Sequence, residues 1–128
     1  MTLRERRILL VEDDVTLRET LAEVLVDEGH EVRAAAHGRD ALDQLDGWEP
    51  DLIVLDIMMP TMDAFRFRER QRALGIAASA KTLVLSATRD LEAAAARLDA
   101  DAWIGKPFVL AEVVGAVDRL LAESSAGA

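Results

Sequence analysis

The chain is predicted to fold as an α/β domain, a parallel sheet with helices on both faces. Short apolar stretches alternate with amphipathic ones along the whole sequence. The apolar stretches are near-continuous, as in strands buried on both faces, rather than alternating. Polar and charged residues recur where those stretches end, at Glu12-Asp13-Asp14, Asp56, Ser86 and Lys106.

The elements follow in order. "RILLV" (7–11) is the first strand. "TLRETLAEVLVDEG" is a helix with Leu17, Leu21, Val24 and Leu25 at helical spacing; Thr16 and Glu19 have capping-box spacing, and Gly29 suits its end. Asp14 is expected to cap that helix or to sit solvated. "HEVRAA" is the second strand and "GRDALDQLDGW" a short helix. "DLIVLD" is the third strand, and "DAFRFRERQRAL" a helix ending near Gly75. "KTLVLSA" is the fourth strand and "RDLEAAAARLDA" an Ala-rich helix. "AWIG" is a short fifth strand. "LAEVVGAVDRLLAE" closes the fold, and the tail is expected to be frayed. Residues 1–122 are thus read as one domain and 123–128 as a flexible tail. No internal repeat or linker is visible.

Bulk properties exclude several classes. With 128 residues the chain suits one domain with a single real core. It has no cysteine, so neither a disulfide scaffold nor a thiolate metal site is available, and a cytoplasmic setting fits. No apolar run approaches the roughly 20 residues of a membrane span. A net charge of −9 argues against direct nucleic-acid binding. No glycine-rich loop follows the first strand, which disfavours a nucleotide site.

In open parallel sheets, sites form beyond the carboxyl ends of strands, where the strand order reverses. If Asp13 and Asp56 lie on neighbouring strands, their carboxylates repel, and Glu12 adds a third charge. Either a proton or a cation must then sit among them. Oxygen ligands in a small open site favour Mg²⁺ over Ca²⁺. Lys106 is the cation expected beside the acids, able to hold a phosphoryl oxygen, and Ser86 offers a hydroxyl to the same oxygen. An aspartate nucleophile, a divalent cation, a lysine and a hydroxyl are what acceptance of a phosphoryl group on a carboxylate requires. On this reading Asp56 is exposed at its strand end.

"ILLVEDD", "LIVLDIMMPTMDAF", "LVLSA" and "AWIGKPF", in that order, resemble the receiver domain of two-component response regulators, from about Arg7 to Leu121. The resemblance implies a flavodoxin-like fold with strand order 2-1-3-4-5. It implies Asp56 as phosphoacceptor, Asp13 as a direct Mg²⁺ ligand, Glu12 acting through bound water, and the Met58 carbonyl as a further ligand. Ser86 and Lys106 would bind the phosphoryl group, the Lys106-Pro107 bond would be cis, and Trp103 would be an aromatic switch moving inward with Ser86. The implied partner is a sensor histidine kinase or a phosphotransfer protein. Output would run through the face made by the fourth helix, fifth strand and fifth helix, which is also a candidate homodimer surface. The Ala-rich fourth helix is a candidate mobile element.

Departures from the family pattern exist. Ala64 and Thr61 stand where glycine is usual; at φ > 0 an alanine costs about 1 kcal/mol. Trp103 is bulkier than the usual aromatic. Met58 and Thr88 occupy the positions that modulate water attack on the acyl phosphate, and an apolar Met58 predicts a phosphoryl group lasting minutes rather than seconds. Two other readings compete with this one. A degenerate receiver serving as a phosphorylation-independent scaffold is opposed by the full set Glu12, Asp13, Asp56, Ser86 and Lys106. A metal-dependent hydrolase is opposed by the lack of a lid or a sizeable substrate pocket. No DNA-binding helix pair follows Leu121, which leaves a stand-alone receiver or a piece of a longer regulator.

Overall fold

The structure is a computed structural model and describes residues 6–57 and 63–126. Five strands, β1 (Arg7–Val11), β2 (Glu31–Ala35), β3 (Leu52–Asp56), β4 (Lys81–Ser86) and β5 (Ala102–Gly105), form one parallel sheet in the order β2-β1-β3-β4-β5. The helices are α1 (Val15–Asp27), α2 (Gly38–Gln44), α3 (Ala64–Leu74), α4 (Leu91–Arg97) and α5 (Leu110–Ala126). The order and parallel pairing match the flavodoxin-like expectation.

Alternation along each strand sends side chains to two cores. Leu9, Val11, Ile53 and Leu55 pack with Ala41, Phe67, Ala94 and Leu98 beneath α2, α3 and α4. Ile8, Leu10, Leu52 and Val54 pack with Leu21, Leu25, Val113 and Val117 beneath α1 and α5. Every residue of β3 is buried, which is why that segment reads as an unbroken apolar run ending in a carboxylate.

Several local expectations are corrected. Asp14 caps α1 as expected, its carboxylate accepting the Leu17 N–H at 2.9 Å, but Thr16 and Glu19 lie inside the helix and form no capping box there. A helix start one residue after the acid triplet leaves Asp14 at the orphan donors of the first turn. Ala64 opens α3 in helical geometry behind its cap Asp63, so the expected strain at positive φ is absent. Thr61 lies outside the described residues. α2 and α4 are shorter than their sequence patterns: Gly47 (φ 70°) and Asp99 (φ 53°) adopt left-handed conformations that stop propagation. α5 runs three residues past Glu123, because Ser124-Ser125-Ala126 contains neither Gly nor Pro. Gly75 closes α3 at φ 66°, as expected. Among the described residues, no helix is long and apolar enough to cross a membrane.

Candidate functional site

The strand order reverses between β1 and β3, with β2 beyond one and β4 beyond the other. Val11 and Leu55 are register partners, so the residues that follow them, Glu12 and Asp56, leave the sheet side by side. Carboxylate oxygens of Glu12, Asp13 and Asp56 all lie within 4.8 Å of one another. Glu12 is 1% exposed and Asp56 4%, whereas Asp13 faces solvent. Asp56 is therefore buried, contrary to the exposed position expected from its place at a strand end. Its neighbours on β1 and β4 enclose the strand terminus as well as its middle.

Lys106 reaches the acids from the loop after β5. Its Nζ donates to Glu12 Oε1 at 2.8 Å and to Asp56 Oδ2 at 3.3 Å. Its backbone N–H donates to the Ser86 carbonyl at 2.9 Å, which helps place it; the Lys106-Pro107 peptide is cis, as expected. Burial by itself lowers the ammonium's pKa. The hydrogen bond to Glu12 and the charges of Asp56 and Glu12 outweigh burial and hold it above its ordinary value.

Ser86 ends β4 and is buried. Its Oγ shares a hydrogen bond with Thr88 Oγ1 at 2.8 Å and accepts the Thr88 N–H at 3.1 Å. Trp103, paired in register with Val84, is 44% exposed and so points outward. Met58 lies outside the described residues.

One contributor was not foreseen from the sequence. Arg18 on α1 donates through Nη1 to the backbone carbonyls of Glu12 (2.9 Å) and Asp13 (3.4 Å). It fixes the acid-bearing loop without neutralising a carboxylate. Its signal was an arginine one turn into the helix that follows the acids. Lys106 remains the cation bonded to the carboxylates among the described residues.

The donor set suits a small hard cation. Three carboxylates against one ammonium leave two negative charges at one point. Oxygen-only ligands and a half-open rim at Asp13 fit Mg²⁺.

The chain is thus a doubly wound α/β domain with an acid cluster and a lysine at its switch point. The response regulator receiver domain family matches residues 8–118, and the chain belongs to that family. It is 38% identical over 117 residues to the response regulator MprA of Mycolicibacterium vanbaalenii, covering 90% of this chain and 50% of that protein. The chain thus spans about half the length of the curated relatives it matches. Among solved structures it is similar to a putative response regulator from Chloroflexus aurantiacus, with 34% identity, TM-score 0.82 and coverage of 93% and 99% of the two chains. It also resembles the chemotaxis response regulator CheY4 of Vibrio cholerae, with 28% identity, TM-score 0.83 and coverage of 91% and 99%. The domain is a receiver of a two-component response regulator.

Proposed function

We propose that Asp56 accepts a phosphoryl group from a sensor histidine kinase or a phosphotransfer protein in the cytoplasm, with Mg²⁺ as cofactor. The observation that carries this reading is the convergence of Glu12, Asp13 and Asp56 within 4.8 Å, with one lysine shared between Glu12 and Asp56. An Asp56 carboxylate oxygen attacks phosphorus in line, a P–O oxygen bond to aspartate forms, and the bond from phosphorus to the donor atom breaks. Glu12, Asp13, Asp56 and the Met58 carbonyl are the proposed ligands of the dication, which when bound neutralises charge on the transferring group. Lys106 stays protonated and holds one phosphoryl oxygen as a point charge. Its elevated pKa favours that state at neutral pH.

Ser86 is proposed to donate to a second phosphoryl oxygen. Its hydroxyl is already bonded to Thr88, so engagement of the phosphoryl group exchanges one hydrogen bond for another and draws the β4 end toward Asp56. Trp103, now outward, would follow inward. The response is a population shift between two conformers, expressed on the face of α4, β5 and α5, where a protein partner or a second copy docks. The domain is proposed to assist its own phosphorylation and dephosphorylation rather than to turn over a separate substrate. With Thr88 occupied by Ser86 and an apolar Met58, water is poorly oriented and the phosphoryl group is long-lived.

The test is incubation with acetyl phosphate and Mg²⁺, followed by intact mass and peptide mapping. One phosphoryl group on Asp56, dependent on Mg²⁺, is expected. Unchanged incorporation in Asp56→Asn would sink the assignment.

A further inference from the structure

α3 is out of keeping with the rest of this acidic chain. "RFRERQR" holds Arg66, Arg68, Arg70 and Arg72 against the single acid Glu69, in a protein of net charge −9. Between α3 and α4, away from the acid cluster, lies a cavity of about 310 Å³ lined by Phe65, Arg68, Glu69, Arg72, Arg97 and Leu98. Three guanidinium groups face one carboxylate there.

The usual fate of such arginines is pairing with surface acids. That accounts for Arg72, which bonds the Asp99 carboxylate. It does not account for the other two. Arg68 spends its donors on neutral acceptors: Nε on the Leu98 carbonyl at 2.9 Å, Nη1 on Gln71 Oε1 at 3.0 Å and Nη2 on the Asp99 carbonyl at 3.3 Å. Arg97 stacks over the Phe65 ring, 4.2 Å from its centre, and forms no ion pair among the described residues. Burial and repulsion from Arg72 pull the Arg68 pKa below its ordinary value, against the opposing pull of Asp99 and Asp101. The positive charges are crowded, and Arg68 is held in place by the backbone that ends α4.

We propose that this cavity binds a small free phosphate monoester, its phosphate held by Arg97 and by Arg72, which exchanges its Asp99 carboxylate partner for the phosphate, and its organic portion resting against Phe65 and Leu98. Guanidinium forks match phosphate oxygens, and the fixed Arg68 adds charge at no further ordering cost. The aromatic and aliphatic floor gives the organic part a surface that inorganic phosphate cannot use. Because Arg68 already ties α3 to the end of α4, a ligand seated there bears on the same helix as the proposed signalling face. This site is independent of the phosphoacceptor reading.

Phenyl phosphate and inorganic phosphate are the probes, titrated into the nitrogen-labelled full chain without Mg²⁺ at constant ionic strength. Saturable amide shifts are expected at Phe65, Arg72, Arg97 and Leu98, with phenyl phosphate the tighter of the two. Arg97→Gln should weaken binding about tenfold, the loss of one charge-assisted contact. Arg72→Gln, a second exposed position, should act in the same direction. The proposal is overturned by shifts centred on Ser86 and Lys106, by equal affinity for the two probes, by affinity unchanged in both variants, or by no saturation beyond matched sodium chloride.

Discussion

The two edges of the sheet handle charge in opposite ways. At the amino edge, charges are solvated and paired locally. Arg7 meets Glu31 at 3.0 Å with both side chains about half exposed, Arg6 approaches Asp51 at 3.9 Å, and Lys81 approaches Asp101 at 3.9 Å. Asp51 and Asp101 also accept backbone N–H groups of Arg7 (2.9 Å) and Thr82 (2.8 Å), so they stitch strand starts together. At the carboxyl edge three acids converge, and the two buried ones, Glu12 and Asp56, share one lysine. The amino edge can be understood as stability and solubility. A buried surplus of negative charge cannot, because desolvation makes it unfavourable. An imbalance kept at a topological switch point marks this end of the sheet as the candidate functional site.

Breaking the carboxyl edge should therefore give the larger effects. The largest is all-or-none: Asp56→Asn abolishes phosphoryl incorporation from acetyl phosphate, whereas Glu31→Gln at the amino edge leaves it at the wild-type level, both read by intact mass. Lys106→Met comes next. It leaves the buried Glu12 carboxylate without its cation, though Oε2 keeps the Asp14 N–H at 3.3 Å, and the unfolding free energy in urea should fall by about 2 kcal/mol. Glu12→Gln placed on top should recover part of that loss, since the stranded charge is then gone. The pH dependence has a definite sign. The Lys106 pKa is raised in the folded state above 10.5, so its contribution is fully present below about pH 10 and is lost as pH rises through the folded value. The stability gap between wild type and Lys106→Met should stay constant from pH 7 to near pH 10 and narrow above it. A gap that widens with alkali would contradict the assignment of Lys106 as the shared cation.

The same contrast explains what was legible in the sequence. Strands buried on both faces, such as Leu52–Asp56, announce themselves as apolar runs, and their alternation with helices dictates a parallel sheet. Glu12, Asp13, Ser86 and Lys106 were readable because strand ends are easy to mark and one sheet edge gathers them. Geometry across strands was harder to read. The burial of Asp56 depends on how β1 and β4 flank it, and the Ser86–Thr88 bond depends on the turn after β4. Arg18 was missed because its partners are backbone carbonyls, which leave no mark on residue identity. The cap of α1 had two candidates in the sequence, because Thr16-x-x-Glu19 and Asp14 both satisfy local capping rules. Only the position where the chain leaves the sheet decides between them.

Asp13 sharpens the comparison, since it is the exposed member of the acid set. Without divalent metal, Asp13→Asn removes one of three mutually repelling charges, and the domain should become more stable by roughly 1 kcal/mol or less, the scale of a solvent-screened pair. With Mg²⁺ the order reverses. Wild type gains stability in proportion to the logarithm of metal concentration, while the variant, lacking a ligand, gains little. Melting curves with and without millimolar-range Mg²⁺ give both signs in one experiment. Equal metal-induced shifts in the two proteins would mean that the dication does not sit among these carboxylates.

The smallest effect belongs to the amino edge, and its size is the control for the whole contrast. Arg7–Glu31 has good geometry, with Nε to Oε2 at 3.0 Å, yet it stands in water and orders two flexible side chains. Glu31→Gln should change the urea unfolding free energy by less than about 1 kcal/mol, and less again at high salt. Each variant removes one member of an ion pair at an edge of the same sheet, one pair half exposed and the other with a buried acid, so the difference between them reports chiefly on burial. If Glu31→Gln proved as damaging as Lys106→Met, ion pairing itself, rather than a desolvated excess of negative charge, would be what distinguishes the site.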